Sequence, residues 1–236
     1  MSLITLVGCT TDSVLDELDT QESDVDYDGK GDGSEAANFF QLHFNGGEYI
    51  TRVNRSSLKC ADNTYRAACE IDAVQWEDTS FTPAQQTYLE EVLHQSDEPG
   101  VSPVILRGRI AKRRVDLGGE LATYTYFFVT EVWRSETGTP GHGVFVFAKR
   151  ARSCTSPCEA YAERRLNSTT RADIARVDVS DLELGALEAP TLADLDGDGL
   201  VVAGERFRFG AQGTQLRGRR ASAVYRKLEP NELNVP

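Results

Sequence analysis

The sequence predicts an α+β, mainly β chain built as a tandem repeat of two βββαββ units, of OB-like barrel or half-barrel type. Three observations carry that reading. Two long segments, about Phe39 to Arg134 and about Gly143 to Leu228, can be laid over one another in order. Most strand candidates alternate apolar and polar residues with the period of two that a half-buried strand needs. One connector instead carries the caps and spacing of a helix. The composition permits such a body: 236 residues, 40 % of them apolar and 8 % aromatic, can fill one large core or two small ones. No stretch reaches the roughly eighteen apolar residues of a membrane-crossing helix.

In chain order, Met1 to Cys9 reads MSLITLVGC, and Leu6, Val7, Gly8 and Cys9 match the lipobox cut before a cysteine that becomes diacylated. Small residues fit the narrow protease site, and the Cys9 thiol is the nucleophile that takes the lipid. The segment resembles the start of bacterial lipoproteins. Only Ser2 to Gly8 precede the cysteine, whereas an export signal has a basic start and 7 to 15 apolar residues, so the true start is expected further upstream. Residues 9 to 38 then hold ten carboxylates and one base, Lys30, which concentrates −9 of the net −12 in this stretch. Residues 10–38 therefore read as an acidic disordered tether, a solvated spacer between lipid and body. Thr10 rather than Asp after the cysteine resembles lipoproteins released to the outer membrane, so the expected location is outer membrane or periplasm.

The first unit spans residues 39–134 and the second 143–228, with 229–236 as a tail. Tyr49, Val53 and Asn54 in GGEYITRVNRSS recur as Tyr161, Leu166 and Asn167 in CEAYAERRLNST. Ile71, Val74 and Asp78 recur at identical spacing as Ile174, Val177 and Asp181. VILRGRI with Gly108 matches LVVAGERF with Gly204, and TYFFVTEVWR matches RRASAVYRKL. In the first unit the connector is a helix: Thr82 caps it, Pro83 suits its first position, and Gln85 completes a capping box. Ala84, Tyr88, Leu89, Val92 and Leu93 share one face, and Asp97 to Gly100 end it. The order βββαββ is that of the OB-fold; order alone leaves a half-barrel or sandwich of the same elements open.

Apart from Cys9, the four cysteines fall into two close pairs in a chain expected to be exported. Bridging Cys60 to Cys69 closes about ten residues and contributes ~2.7 kcal/mol; Cys154 to Cys158 closes about five and contributes ~2 kcal/mol. No histidine lies near either pair, which disfavours zinc. VNRSSLKCADNTYRAACEIDAVQW and FFVTEVWRSETGTPGHGVFVFAKRARSCTSPCEAYAERRLNS carry a family resemblance. Residues 47 to 78 and 127 to 181 resemble a bacterial domain of unknown function found in predicted lipoproteins and secreted proteins, largely from myxobacteria. The resemblance implies architecture and export, and brings no activity, cofactor or catalytic residue. The family places a CxxPxC-like hairpin before its first tyrosine, as Cys154 to Cys158 does here; NFFQLHFNGGEY lacks both cysteines, and a turn through Asn45, Gly46 and Gly47 can close unaided.

Two candidate sites stand out. Asp194 to Glu205, DLDGDGLVVAGE, meets the EF-hand loop pattern, with Asp194, Asp196, Asp198, the Leu200 carbonyl and Glu205 as the oxygens a Ca2+ ion needs. Against it, Val202 cannot help at position 9, a strand follows the loop, and Asp and Gly also build plain turns. A second match, Asp24 to Glu35, reads as tether. Basic residues cluster as Arg107, Arg109, Lys112, Arg113 and Arg114, then Arg217, Arg219 and Arg220, with Tyr124, Tyr126 and Phe128 on one face of the adjacent strand. These offer a groove for a polyanion, an acidic polysaccharide or nucleic acid, against the plainer reading of arginines coating a sheet edge. His43, His94 and His142 are isolated, and no nucleophile elbow, HExxH or phosphate-binding loop occurs. The expected protein is a membrane-anchored binding or structural module without catalysis, partnered by an envelope protein or polysaccharide and by no specific nucleic acid. An enzyme with a convergent site is the alternative.

Overall fold

The computed structural model describes residues 23–24, 37–44, 47–94, 103–151, 160–211 and 214–233. Cys9, Cys154, Cys158 and nearly all of the 10–38 leader lie outside the described residues. The body is mostly β, and thirteen strands join one large, mainly antiparallel sheet. Its first half contains β2 (Phe39–His43), β3 (Tyr49–Arg52), β6 (Cys69–Glu70), β7 (Ala73–Gln75), β8 (Val104–Asp116) and β9 (Leu121–Ser135). A separate two-stranded ribbon is made by β4 (Leu58–Lys59) and β5 (Tyr65–Arg66). In the second half lie β10 (Val144–Arg150), β11 (Tyr161–Arg165), β12 (Arg171–Ile174), β13 (Arg176–Asp178), β14 (Leu200–Ala211) and β15 (Thr214–Lys227). One short strand of the leader, β1 (Ser23–Asp24), pairs with β8 at Ala111 and Lys112.

Strand pairing in the first half runs β6-β3-β2-β8-β9, with β7 parallel to β9. Pairing in the second runs β12-β11-β10-β14-β15, with β13 parallel to β15. The halves join where β15 meets β9 antiparallel, Tyr225 opposite Ser135, Arg226 opposite Arg134 and Lys227 opposite Trp133. Each half has one register shift in its penultimate strand, at Arg107/Gly108 and at Ala203/Gly204. Glycine is required at both: a Cβ on Gly108 would lie 2.1 Å from the Phe128 carbonyl oxygen, and one on Gly204 2.0 Å from that of Arg220.

Alternation divides the apolar residues among three cores. Phe40, Leu42, Ile50, Ile110, Phe127 and Val129 fill the first half, and Val146, Ala148, Ile174, Leu195, Val202 and Val224 the second. Between them, Phe39, Val53, Ile105 and Trp133 meet Phe145, Phe147, Leu166, Val201 and Tyr225. Two asparagines lock this joint reciprocally. Asn167 donates to the carbonyls of Phe39 (2.7 Å) and Val53 (2.9 Å) and accepts the Phe39 N–H (3.0 Å). Asn54 donates to the carbonyls of Phe145 (2.6 Å) and Leu166 (3.3 Å) and accepts the Phe145 N–H (3.0 Å). Both sit in the left-handed region, Asn167 at φ 56° and Asn54 at φ 59°, which asparagine tolerates better than other non-glycine residues.

Helix α1 (Pro83–His94) begins with the expected box: the Gln85 side chain accepts the Thr82 N–H at 3.0 Å, and Thr82 Oγ1 accepts the Gln85 N–H at 3.4 Å. Its buried face is Gln85, Leu89 and Leu93, while Ala84 and Tyr88 are exposed. Gln85 turns inward because its amide has acceptors there, the carbonyls of Pro230 (2.7 Å) and Leu233 (3.1 Å). The final segment is thereby docked, and Leu228 and Leu233 enter the first core. A second helix, α2 (Glu188–Asp196), lies in the second half's connector, where the βββαββ order expects a helix but the sequence reading named no residues for it. Cys60 and Cys69 form a disulfide with Cα atoms 5.5 Å apart, tying the ribbon to β6.

Candidate functional site

The basic residues of β8 are held by neighbours. Arg107 meets Glu131 at 3.2 Å, Arg109 lies 3.8 Å from Asp78, and Arg113 meets Glu77 at 2.6 Å. Arg109 and Arg113 also lie over the Phe128 ring, at 4.4 and 5.0 Å, beside the ladder of Tyr124, Tyr126 and Phe128. The Phe128 face is thus occupied by the chain's own guanidinium groups, and Arg113 also lies 6.0 Å from the Tyr126 ring. Lys112 and Arg114 sit further along β8, half-buried and exposed. On β15, Arg217 and Arg220 are exposed, and Arg220 lies 3.7 Å from Asp181 and 5.7 Å from the Phe207 ring. Arg219 departs from the expected surface cluster: it is 2 % exposed and does not stand with Arg217 and Arg220 on the surface.

The calcium-loop residues are dispersed as well. Asp194 and Asp196 end α2, and Asp196 is engaged by Arg150 (2.7 Å) and the Tyr161 hydroxyl (2.9 Å). Asp194 lies 3.8 Å from Arg226; burial pushes its carboxyl above the usual range, partly offset by that guanidinium. Leu200 and Glu205 lie in β14, and Glu205 lines a different depression from Asp194, Asp198 and Leu200. Among the described residues no group of three or more His, Cys, Asp or Glu side chains could hold a metal. The loop does not fit calcium here because the helix claims its first residues and the strand carries its last away.

Among the described residues, three concavities bear on the candidate sites. A cleft of about 370 Å³ at the joint is lined by Trp133, Phe147, Lys149, Asp198, Arg226 and Lys227, among others. Its charges largely neutralise one another: Lys227 lies 3.8 Å from Glu131 and 3.6 Å from Glu229, and Arg226 meets Glu136 at 2.6 Å and also pairs with Glu232. A second depression, about 240 Å³, brings His142, Asp181 and Ser222 together. The Ser222 hydroxyl donates its one proton to the His142 carbonyl (2.7 Å) and accepts the His142 N–H (3.0 Å), so it serves as a turn clamp.

The third, about 330 Å³, opens beside the Gly204 bulge and has a charged base that the sequence analysis did not find. Glu163 of β11 is fully buried. Its Oε2 accepts Arg219 Nε at 2.6 Å, and its Oε1 accepts Arg219 Nη2 at 3.1 Å and Arg206 Nε at 2.5 Å. Arg219 Nη1 donates to the carbonyls of Val144 (3.2 Å) and Gly204 (2.9 Å). Only Arg206, 44 % exposed, reaches solvent from this triad. The signal available in sequence was a glutamate at an inward-facing position of YAERR, which alternation marks as anomalous.

A search of curated proteins and one of solved structures each returned no match. A family model, "Domain of unknown function (DUF6748)", matches residues 43–222, which takes in most of both halves and every residue lining the second and third depressions. The chain belongs to that DUF6748 family.

Proposed function

We propose that this protein is an exported binding or structural module of the cell envelope, anchored through lipid on Cys9 and without catalytic activity. The observation that carries the reading is the conjunction of a lipobox, an acidic spacer and a disulfide, Cys60–Cys69, of the kind that persists outside the reducing cytoplasm. A bacterial origin, placement at the outer membrane or in the periplasm, and an envelope protein or polysaccharide as partner belong to the same proposal. The body is read as two OB-like units from an internal duplication. Two features support this: the same pairing order in each half, and the equivalent parallel partners β7 with β9 and β13 with β15. The reading of a module is supported by how the body uses its polar groups: Asn54, Asn167 and Ser222 hold backbone.

Metabolic labelling with an alkyne fatty acid, in a bacterial host expressing the gene from its full upstream start, tests the anchor. Label on the wild type, none on Cys9→Ser, and release of that variant from membranes are expected. Unlabelled wild type, or equal label on Cys9→Ser, contradicts it.

A further inference from the structure

We infer that the depression beside Gly204 is a binding pocket for one oxyanion group: a carboxylate, sulfate or phosphate on a small molecule or saccharide unit. The argument starts from the charge balance. Arg206 and Arg219 bring two positive charges to the single negative charge of Glu163, so the triad carries a net charge of +1. Arg219 spends its donors on Glu163 and two carbonyls. Arg206 spends only Nε, and among the described residues its two terminal nitrogens have no partner. A guanidinium pinned at Nε by a buried carboxylate presents a fixed two-donor fork, the geometry that recognises a planar or tetrahedral oxyanion. Arg165 lines the same pocket, its Nη2 donating to the Asn54 carbonyl at 3.3 Å. Glu205 is the one acid on the lining, against Arg165, Arg206 and Arg219.

A structural role for the triad is the competing explanation, and the first half argues against it. Counted from the bulge glycines and along the β2/β3 and β10/β11 registers, Ile50, Ile110 and Phe127 stand where the second half has Glu163, Arg206 and Arg219. Those three are buried and apolar, so this frame closes without charge. Burying ions where hydrocarbon suffices costs desolvation, and the gain is an arginine fork held rigidly at a pocket mouth.

The test is calorimetric titration of the full chain with inorganic sulfate, inorganic phosphate and D-glucuronate in low-chloride buffer. Saturable binding of at least one probe is expected, weakened at least about tenfold in Arg206→Lys, which keeps the charge and loses the fork. Arg208→Gln, an exposed change on the same strand outside the pocket, should bind as the wild type does. Glucuronate alone saturating would indicate a carboxylated saccharide; sulfate or phosphate saturating would indicate a tetrahedral group. The inference is overturned if no probe saturates, or if Arg206→Lys and Arg208→Gln weaken binding equally. The anchor proposal is untouched by either result, since this test needs no lipid.

Discussion

The two halves solve one packing problem with different chemistry. Where the first half places Phe40, Leu42 and Val129, the second has the smaller Val146, Ala148 and Ala221. The same half buries the Arg219 side chain and its carboxylate partner Glu163, both nearly inaccessible to solvent. Apolar bulk gives way to buried charge in the second half, while the first half closes the same strand pairing without it, so the charged triad is an addition to the frame, not a requirement of it.

The largest expected effect comes from breaking the triad on one side. Glu163→Ile leaves Arg219 buried without its counter-ion, and urea denaturation should show a loss of about 3 to 5 kcal/mol. Next, Asn167→Ala strips partners from the Phe39 N–H and the Phe39 and Val53 carbonyls and puts alanine at positive φ. It should cost about 3 kcal/mol, and Asn54→Ala about 2, because Asn54 is only half-buried. Equal and negligible costs would remove the asparagine clasp from the joint.

A third difference lies at the joint itself, where Tyr225 in the second half occupies the place of Trp133 in the first. Burial pushes the Tyr225 hydroxyl up to about 12, against 10 for an ordinary tyrosine. Its contribution is fully present below pH 10 and is lost as pH rises toward 12, because the unfolded chain ionises first. Two pH units correspond to about 2.7 kcal/mol. The alkaline loss should be smaller by about that amount in Tyr225→Phe, read from denaturation midpoints on either side of the window. The smallest effect is expected at the surface: Arg113→Ala, which breaks the exposed pair with Glu77, should change stability by at most about 1 kcal/mol.

Much of this was legible because it is written in spacing. Asn54 and Asn167, Gly108 and Gly204, and the Thr82 cap each stand at a fixed offset from a hydrophobic pattern, and the structure puts each to structural use. The match of β9 to β15 was read two residues out of step: the bulges align Trp133 with Tyr225, not with Lys227. A slip of two keeps every side chain on its face, so alternation cannot detect it. Helix α2, expected from the βββαββ order, was not placed on its residues because its nine residues, EAPTLADLD, contain a proline and end in the acids that suggested a metal loop. Arg219 was counted with its charged neighbours on β15; only the register of β11 reveals the glutamate that draws it inside.

The most direct test is to install the first half's residues in the second: Glu163→Ile, Arg206→Ile and Arg219→Phe together, followed by urea denaturation and by titration with the three anions. The triple variant is predicted to hold wild-type stability within about 1 to 2 kcal/mol, or exceed it, and to lose anion binding. A triple variant as unstable as Glu163→Ile alone, or one that still binds as the wild type does, would contradict the assignment of these charges to ligand recognition.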